Sequence, residues 1–437
     1  MAASAIYPEN LEERLIWSAI TGTWLFYAIG GLYILAPALG WTLVGWAVFK
    51  AYVESPQTPP CERVRVPLGV KVWIAGMVMM EIALIAAHFD FNLGMASLIK
   101  SSVGWAKGWA LLAVFPAVGA MLQIRPAVIY RASCRLAAQT LVLIPLFVIA
   151  PHVHLPGTLY VSPLKMVGGP GPEFFEVQLY GRDPDSHAPR WRFFTPWAPA
   201  AGFVANVYLI FALQERVRLW KATGIAAAIA MCFLSQSRLA LLSMIVVASL
   251  TWVAARMSRS RSMRLVSLVL LLGSLAADRI IEIMGDAKAK FAAARAASSR
   301  VRAALGRIAL QRWGAEAPIW GHGIVERGPH LVEFMPIGSH HSWYGLLFVK
   351  GIVGFLALLA PIMWSTGEML LKAQASRRAR CGFAMMLILL LYSFGENLEI
   401  LVYLYWPAMV IIGSASRQRL HNPFISPLSG RKPPDSQ

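Results

Sequence analysis

Two adjacent histidines, His340 and His341, stand immediately before a long apolar segment. An imidazole changes its charge near neutral pH, so it can take the proton from a hydroxyl group that attacks an electrophile. The alternative is a polar pair at a membrane boundary, beside the aromatic residues Trp343 and Tyr344. His322, in an upstream Gly-His-Gly sequence, fits no metal-ligand spacing and is kept as a secondary candidate. We therefore predict base chemistry at the histidine pair, without a metal ion.

Arg238 ends the sequence Ser-Gln-Ser-Arg between two apolar runs. An arginine in such a place is costly unless it is paired or faces a watered cavity, so its position indicates a functional role. Its planar guanidinium donates two parallel hydrogen bonds to a phosphate. The alternative is an arginine at a loop tip that extends towards lipid headgroups. We favour anion binding.

Residues 287–313 are rich in alanine, free of proline and strongly basic, which predicts a helix. One face of this helix carries Val301, Leu305 and Ile308. Arginines flank that face, with Arg295 and Arg302 on one side and Arg300 and Arg307 on the other. Such a helix is expected to lie in the membrane interface, with its apolar face in lipid and its arginines at headgroup level.

Arg300 and Arg302 are the two arginines of this helix that we expect near the same site as Arg238. They point to opposite flanks, so at most one of them should contact a ligand directly. Ser298 and Ser299 are suited to cap a helix that begins there, which favours Arg300. Adhesion of a basic helix to anionic lipid is an equally good explanation for either arginine.

Two carboxylates, Glu396 and Glu399, stand in the turn between the last two apolar runs. On the same side of the membrane as the histidines, they could orient a base or bind an acceptor. The alternative is that they only delimit the turn. We keep both as secondary site residues.

The composition excludes an ordinary soluble protein, because 57% of the 437 residues are hydrophobic and only 14% are charged. A net charge of +18 on a soluble domain would suggest nucleic acid, but here the apolar runs are too many and too long for that. We expect the lipid bilayer, and no nucleic acid, as a partner. The sequence does not indicate an oligomeric state.

The apolar runs predict an all-α polytopic membrane protein with about twelve transmembrane helices, a helical bundle with a large, partly helical extracytoplasmic loop. The predicted spans are 15–35, 37–53, 69–88, 104–122, 135–151, 196–213, 222–236, 238–256, 264–281, 343–365, 381–395 and 398–414. The remaining predicted segments are a cytoplasmic N-terminus at 1–14, extracytoplasmic loops at 152–195 and 282–342, and a cytoplasmic, disordered tail at 415–437.

Basic residues alternate with the predicted spans. The connections 50–71, 123–135, 214–221, 256–264 and 367–380 each carry at least three Lys or Arg, whereas the turns near 36, 236 and 396–399 on the other side contribute only Arg238. Positive charge collects in short cytoplasmic loops, so this bias predicts that both termini are cytoplasmic and that the histidine pair is extracytoplasmic.

Taken together, three pieces of the sequence resemble the O-antigen ligase and O-antigen polymerase family of bacterial membrane glycosyltransferases. The first piece is the Ser-Gln-Ser-Arg sequence ending at Arg238. The second is Ser299-Arg300 followed by a helix and Pro318-Ile-Trp-Gly-His-Gly323. The third is Ser339-His340, followed by Gly351-Ile-Val-Gly354. The resemblance is most convincing over residues 222–365.

The resemblance implies a metal-independent inverting glycosyltransferase of the inner (cytoplasmic) membrane, acting at its outer face. It moves glycan from an undecaprenyl-diphosphate-linked donor to the hydroxyl of a glycan or lipid-linked acceptor, without a cofactor. Arg238 and Arg300 match the arginines that hold the donor diphosphate, with Arg302 as the rival of Arg300. His340 matches the histidine that activates the acceptor, but His341 stands where the family usually has Asn, so either histidine remains a candidate.

Two further alternatives remain. Ligation and polymerisation are the same reaction with different acceptors, and the sequence does not show which acceptor is used. A twelve-span secondary transporter or flippase-type protein would need two related halves, which the chain lacks. It would also need Lys350 and Glu81, the ionisable residues most plausibly within spans, to pair or relay protons.

Overall fold

The computed structural model describes residues 6–54, 64–183, 188–256 and 296–418. The predicted span 264–281 and the predicted tail beyond residue 418 lie outside these residues, as does Arg295. Most of the described residues lie in α-helices, and the few strands form two small hairpins.

Fourteen α-helices lie in the described ranges. In chain order they are α1 (Leu11–Thr21), α2 (Thr23–Ala28), α3 (Leu32–Val53), α4 (Leu68–Asp90), α5 (Met95–Lys107), α6 (Leu111–Met121), α7 (Pro126–Ile149), α8 (Ala198–Gln214), α9 (Arg218–Leu234), α10 (Arg238–Ala254), α11 (Ala296–Glu316), α12 (Ser342–Ala373), α13 (Arg377–Ser393) and α14 (Val402–Ser416).

Four of these helices, α3, α4, α7 and α12, are long and apolar enough to cross a membrane. Helices α5 and α6 would provide a fifth span if they are taken together across their 41° bend. The prediction of about twelve spans is therefore wrong for the part of the chain that the structure describes.

The overestimate arose because an apolar run does not fix the length of the helix it forms. Helices α8, α9, α10 and α13 each have 17 residues and α14 has 15. At a rise of ~1.5 Å per residue they reach at most about 25 Å, short of the ~30 Å hydrocarbon core. The first predicted run also breaks at Gly30, where φ is +69°, and not near residue 36.

Helix α14 forms the centre of the bundle, since every residue from Val402 to Ser416 is buried. It packs closely against α6 because two glycines remove side chains from the contact. A Cβ on Gly119 would overlap the carbonyl of Val410, and one on Gly413 would overlap that of Pro116. Small residues at such crossings let two backbones approach, as in membrane helix pairs.

Helix α12 is broken at Gly351, whose φ of 62° and ψ of −163° are not helical. The segment Pro318–Gly323 replaces the lost helical hydrogen bonds. Its His322 and Gly323 amides donate to the carbonyls of Phe348 and Val349, both at 2.9 Å. Its Pro318 carbonyl accepts from the Ile352 amide at 3.0 Å. The glycine-rich segment is therefore part of the packing of α12.

Helix α11 ends at Glu316, three residues after the predicted end, and its apolar face lies where the sequence placed it. Val301 and Leu305 are buried against Val332, and Ile308 packs beside them. The expectation that this face lies in lipid is wrong, because the loop after α11 and helix α12 cover it. This packing determines which arginine of α11 faces the histidine pair.

The loop between α7 and α8 holds the two antiparallel hairpins, β1 (Thr158–Val161) with β2 (Glu176–Gln178) and β3 (Gly181–Arg182) with β4 (Pro189–Arg190). Arg190 fastens the second hairpin to the turn between α9 and α10, because its Nε donates to the Ser235 carbonyl at 3.0 Å. The hairpin therefore lies beside the start of α10.

Candidate functional site

Arg302, His340 and His341 line one cavity of about 100 Å³. It lies between α11, the start of α12 and the turn after α13. The other lining residues are Leu305, Gly306, Gly338, Tyr344, Phe394 and Gly395. Three glycines in this set keep the cavity open, and Gly338, with a φ of +79°, brings its backbone against Gly345. The structure therefore places three of the predicted site residues together.

His340 is the histidine whose ring nitrogens are available for chemistry. Within the described residues its ring makes no hydrogen bond, and the hydroxyl of the preceding Ser339 is buried and likewise without a partner. Burial, and to a lesser degree the positive charge of Arg302, lowers the pKa of His340 to about 4. The imidazole is therefore neutral at pH 7, which is the form that can accept a proton.

His341 has a different role, because it caps helix α12. Its Nδ1 accepts from the Tyr344 amide at 3.4 Å, and its ring stacks on that of Tyr344 with centroids 3.9 Å apart. Burial lowers the pKa of His341 to about 4. Only Nε2 remains for a ligand, so His340 is the better placed base of the pair.

Glu396 lies within electrostatic reach of this cavity from the turn between α13 and α14. It is 4% exposed, and one carboxylate oxygen accepts from Trp197 Nε1 at 3.0 Å. Burial raises the pKa of Glu396 to about 7, while the charges of Arg302 and Arg190 and the Trp197 bond act in the opposite direction. The carboxyl group therefore titrates near neutral pH.

Ser342 holds the Glu396 turn against the start of α12. Its hydroxyl donates to the Glu396 carbonyl at 2.7 Å and accepts from the Leu398 amide at 2.9 Å. Neither Ser342 nor Trp197 is predicted from the sequence to be a site residue. The position of Ser342, directly after the histidine pair, could have indicated it, but no spacing links Trp197 to a residue about two hundred positions later.

The other two predicted arginines are not among the lining residues of the cavity. Arg238 is the first residue of α10, after the capping Ser237, and the side chain of its neighbour Leu239 packs against Gly395 at the cavity wall. Arg300 is exposed on α11. Of the two rivals on this helix, Arg302 is the one at the cavity.

His322 and Glu399 lie apart from the cavity. The His322 ring is 2% exposed, with Nδ1 at 3.0 Å from the Phe348 carbonyl and Nε2 at 2.8 Å from Glu316 Oε2. It therefore braces the Pro318–Gly323 segment. Burial raises the pKa of Glu399, against the effects of the Lys350 charge and a hydrogen bond from Trp109.

Within the described ranges, no three His, Cys, Asp or Glu side chains gather into a set that could hold a metal ion. The charged groups at the cavity are instead the guanidinium of Arg302 and the nearby carboxyl group of Glu396. No protein-family model and no curated protein matches the chain.

Proposed function

We propose that this protein is a membrane glycosyltransferase of the O-antigen ligase or polymerase type. It transfers glycan from an undecaprenyl-diphosphate-linked donor to an acceptor hydroxyl at the outer face of the bacterial inner membrane. The observation that carries the proposal is the pairing of a neutral imidazole, His340, with a guanidinium, Arg302, in one cavity at the start of a candidate membrane span.

In the proposed reaction the acceptor oxygen attacks the anomeric carbon of the donor as His340 takes the hydroxyl proton. The bond between that carbon and the diphosphate oxygen breaks, and its electron pair leaves with undecaprenyl diphosphate. Arg302 stabilises the negative charge that develops on this leaving group. Arg238, next to the cavity wall, and the exposed Arg300 are assigned to the outer part of the donor diphosphate.

The side of the membrane is proposed from the segments that meet at each end. Arg190 and the histidine pair come from connections predicted to be extracytoplasmic, Ser235 and Gly395 lie at the outer ends of predicted spans, and contacts link these residues at one end. Connections predicted to be cytoplasmic meet at another cavity, lined by Asn10, Arg125, Arg378 and Arg417 among others. We therefore propose cytoplasmic termini.

A secondary transporter is the second candidate, and one observation favours it. Broken helices with buried charges form the sites of many transporters. Here Lys350 is 2% exposed, immediately precedes the break at Gly351, and interacts electrostatically with Glu81 and Glu399. We rank the transporter second because Lys350 does not line the cavity that contains His340 and Arg302.

The test compares His340→Ala and Arg302→Gln with the parent protein, in cells that lack the gene and in purified form with lipid-linked glycan. We expect both variants to reach normal protein levels but to lose glycan transfer. Accumulation of long donor in the deletion strain indicates a ligase, whereas a single capped repeat indicates a polymerase. Liposomes that move a solute while the lipid-linked glycan stays intact would overturn the proposal.

A further inference from the structure

A second cavity, of about 400 Å³, lies at the end of the bundle opposite the histidine pair. The charged residues of its lining are Glu9, Glu13, Arg125, Arg378 and Arg417. Its size falls within the roughly 300–1,000 Å³ of sites that hold small molecules. With three arginines and two glutamates the lining has an excess of positive charge.

Both glutamates of this lining are engaged by the same arginine. Glu13 accepts from Arg125 at its backbone amide, at Nε (both 2.9 Å) and at Nη2 (2.7 Å), and Glu9 pairs with Arg125 Nη1. Glu13 also accepts the amide of Glu9 at 2.9 Å. One guanidinium offsets only one of the two carboxylates, so Arg378 and Arg417 are the groups that bring the lining to a net charge of +1.

Arg378 and Arg417 are close enough for their charges to repel each other. Arg378 donates from Nη1 to the Ser414 hydroxyl at 3.2 Å, the one hydrogen bond that its guanidinium makes to the described part of the chain. A guanidinium has five N–H donors, so most of them are available to a ligand. Arg378 also stands in the first turn of α13, which has no acidic residue there to balance the helix dipole.

The cavity lies at the level expected for lipid headgroups. Arg125 is the N-cap of α7, one of the candidate membrane spans, and the nearby Leu122 and Ile124 give the lining an apolar part. An apolar wall beside two arginines suits a ligand that is anionic at one end and apolar at the other. We propose that this cavity binds the phosphodiester headgroup of an anionic phospholipid, with Arg378 and Arg417 holding the phosphate.

The test measures the melting temperature of the full chain in neutral detergent, titrated with short-chain phosphatidylglycerol, phosphatidylcholine or inorganic phosphate. We expect phosphatidylglycerol to raise the melting temperature saturably and the other two to have little effect. The double variant Arg378→Gln, Arg417→Gln should bind about tenfold or more weakly, since each loses charge-assisted hydrogen bonds. Arg378→Lys, which keeps the charge but not the fork, should show a smaller loss.

The matched control is Arg377→Gln, which removes the same charge from an exposed neighbour on the same turn of α13. It should bind phosphatidylglycerol within about twofold of the parent. Equal losses in the control and the double variant would overturn the site, as would equal effects of the two lipids. An equal effect of inorganic phosphate would assign the site to a free anion and overturn the lipid. The melting temperature of each variant without lipid shows whether that variant folds. If the double variant does not fold, the single variants Arg378→Gln and Arg417→Gln are measured in its place.

Discussion

Gly351 and Ile319 meet backbone to backbone where helix α12 breaks. A Cβ on Gly351 would overlap the Ile319 carbonyl oxygen, and φ at Gly351 is +62°. The break in α12 therefore depends both on Gly351 and on the Pro318–Gly323 segment, which replaces the lost helical hydrogen bonds.

Replacing Gly351 with Ala should destabilise the protein by more than about 2 kcal/mol, because a positive φ is strained for alanine and the Cβ overlaps backbone. The control, Gly367→Ala, lies on the same helix with nothing within 4 Å of its Cβ. It should be neutral or stabilise by about 0.5–1 kcal/mol. Unfolding in detergent, followed by tryptophan fluorescence, measures both. Equal stability of the two variants would contradict the contact.

Gly306→Ala should reduce the proposed transfer by narrowing the cavity. A Cβ at Gly306 would lie 2.9 Å from Cε2 of Tyr344, so the ring that stacks on His341 must move. Gly314, on the same helix, has open space around its Cβ, and Gly314→Ala should retain parental activity. Initial rates with lipid-linked glycan test the pair. A fully active Gly306→Ala would show that the cavity is not used.

Arg302→Gln should lower the rate of transfer by about 10²–10³, the usual cost of losing one group that stabilises transition-state charge. Arg300→Gln, two residues away and exposed, should cost less than about tenfold. Comparing kcat/KM of the two variants measures the difference. A larger loss of kcat/KM in Arg300→Gln than in Arg302→Gln would assign the donor phosphate to the other flank of α11.

Glu396 should make the protein less stable as the pH rises. Its folded pKa of about 7 lies above the ordinary value of 4.5, so the folded state holds a proton that the unfolded state releases between these values. The stability of Glu396→Gln relative to the parent should therefore increase from pH 4.5 to pH 7. Melting temperatures across this range test it, with Glu333→Gln, at an exposed site, as the control. If the stability difference between Glu396→Gln and the parent does not change with pH, the result would contradict a buried, ionisable carboxyl group at Glu396.

His340 should make the protein less stable as the pH falls. Its folded pKa of about 4 lies below the ordinary value of 6.5, so the unfolded state binds a proton first as the pH falls. Stability should therefore be lost between pH 6.5 and pH 4, and His340→Gln should lose less than the parent. The exposed His330 provides the control, since His330→Gln should follow the parent curve.

The sequence was enough to predict a helical protein, a helix in the loop before the histidine pair, and the face on which Val301 and Leu305 lie. It could not choose between Arg300 and Arg302, because they stand on opposite flanks and the choice depends on how α11 docks on α12. Nor could it predict helix lengths, since breaks such as those at Gly30 and Gly351 depend on tertiary contacts made by distant segments. Trp197 reaches Glu396 only through the packing of α8.

The burial of α14 along its whole length has a consequence for how the chain assembles. The helix that fills the middle of the bundle is the last of the described helices to leave the ribosome. Its packing partner α6 is synthesised almost three hundred residues earlier, so the glycine face of α6 stays uncovered until α14 has been made. The earlier helices therefore cannot settle into their final arrangement during synthesis, and closure of the bundle is a late event that follows the arrival of its centre.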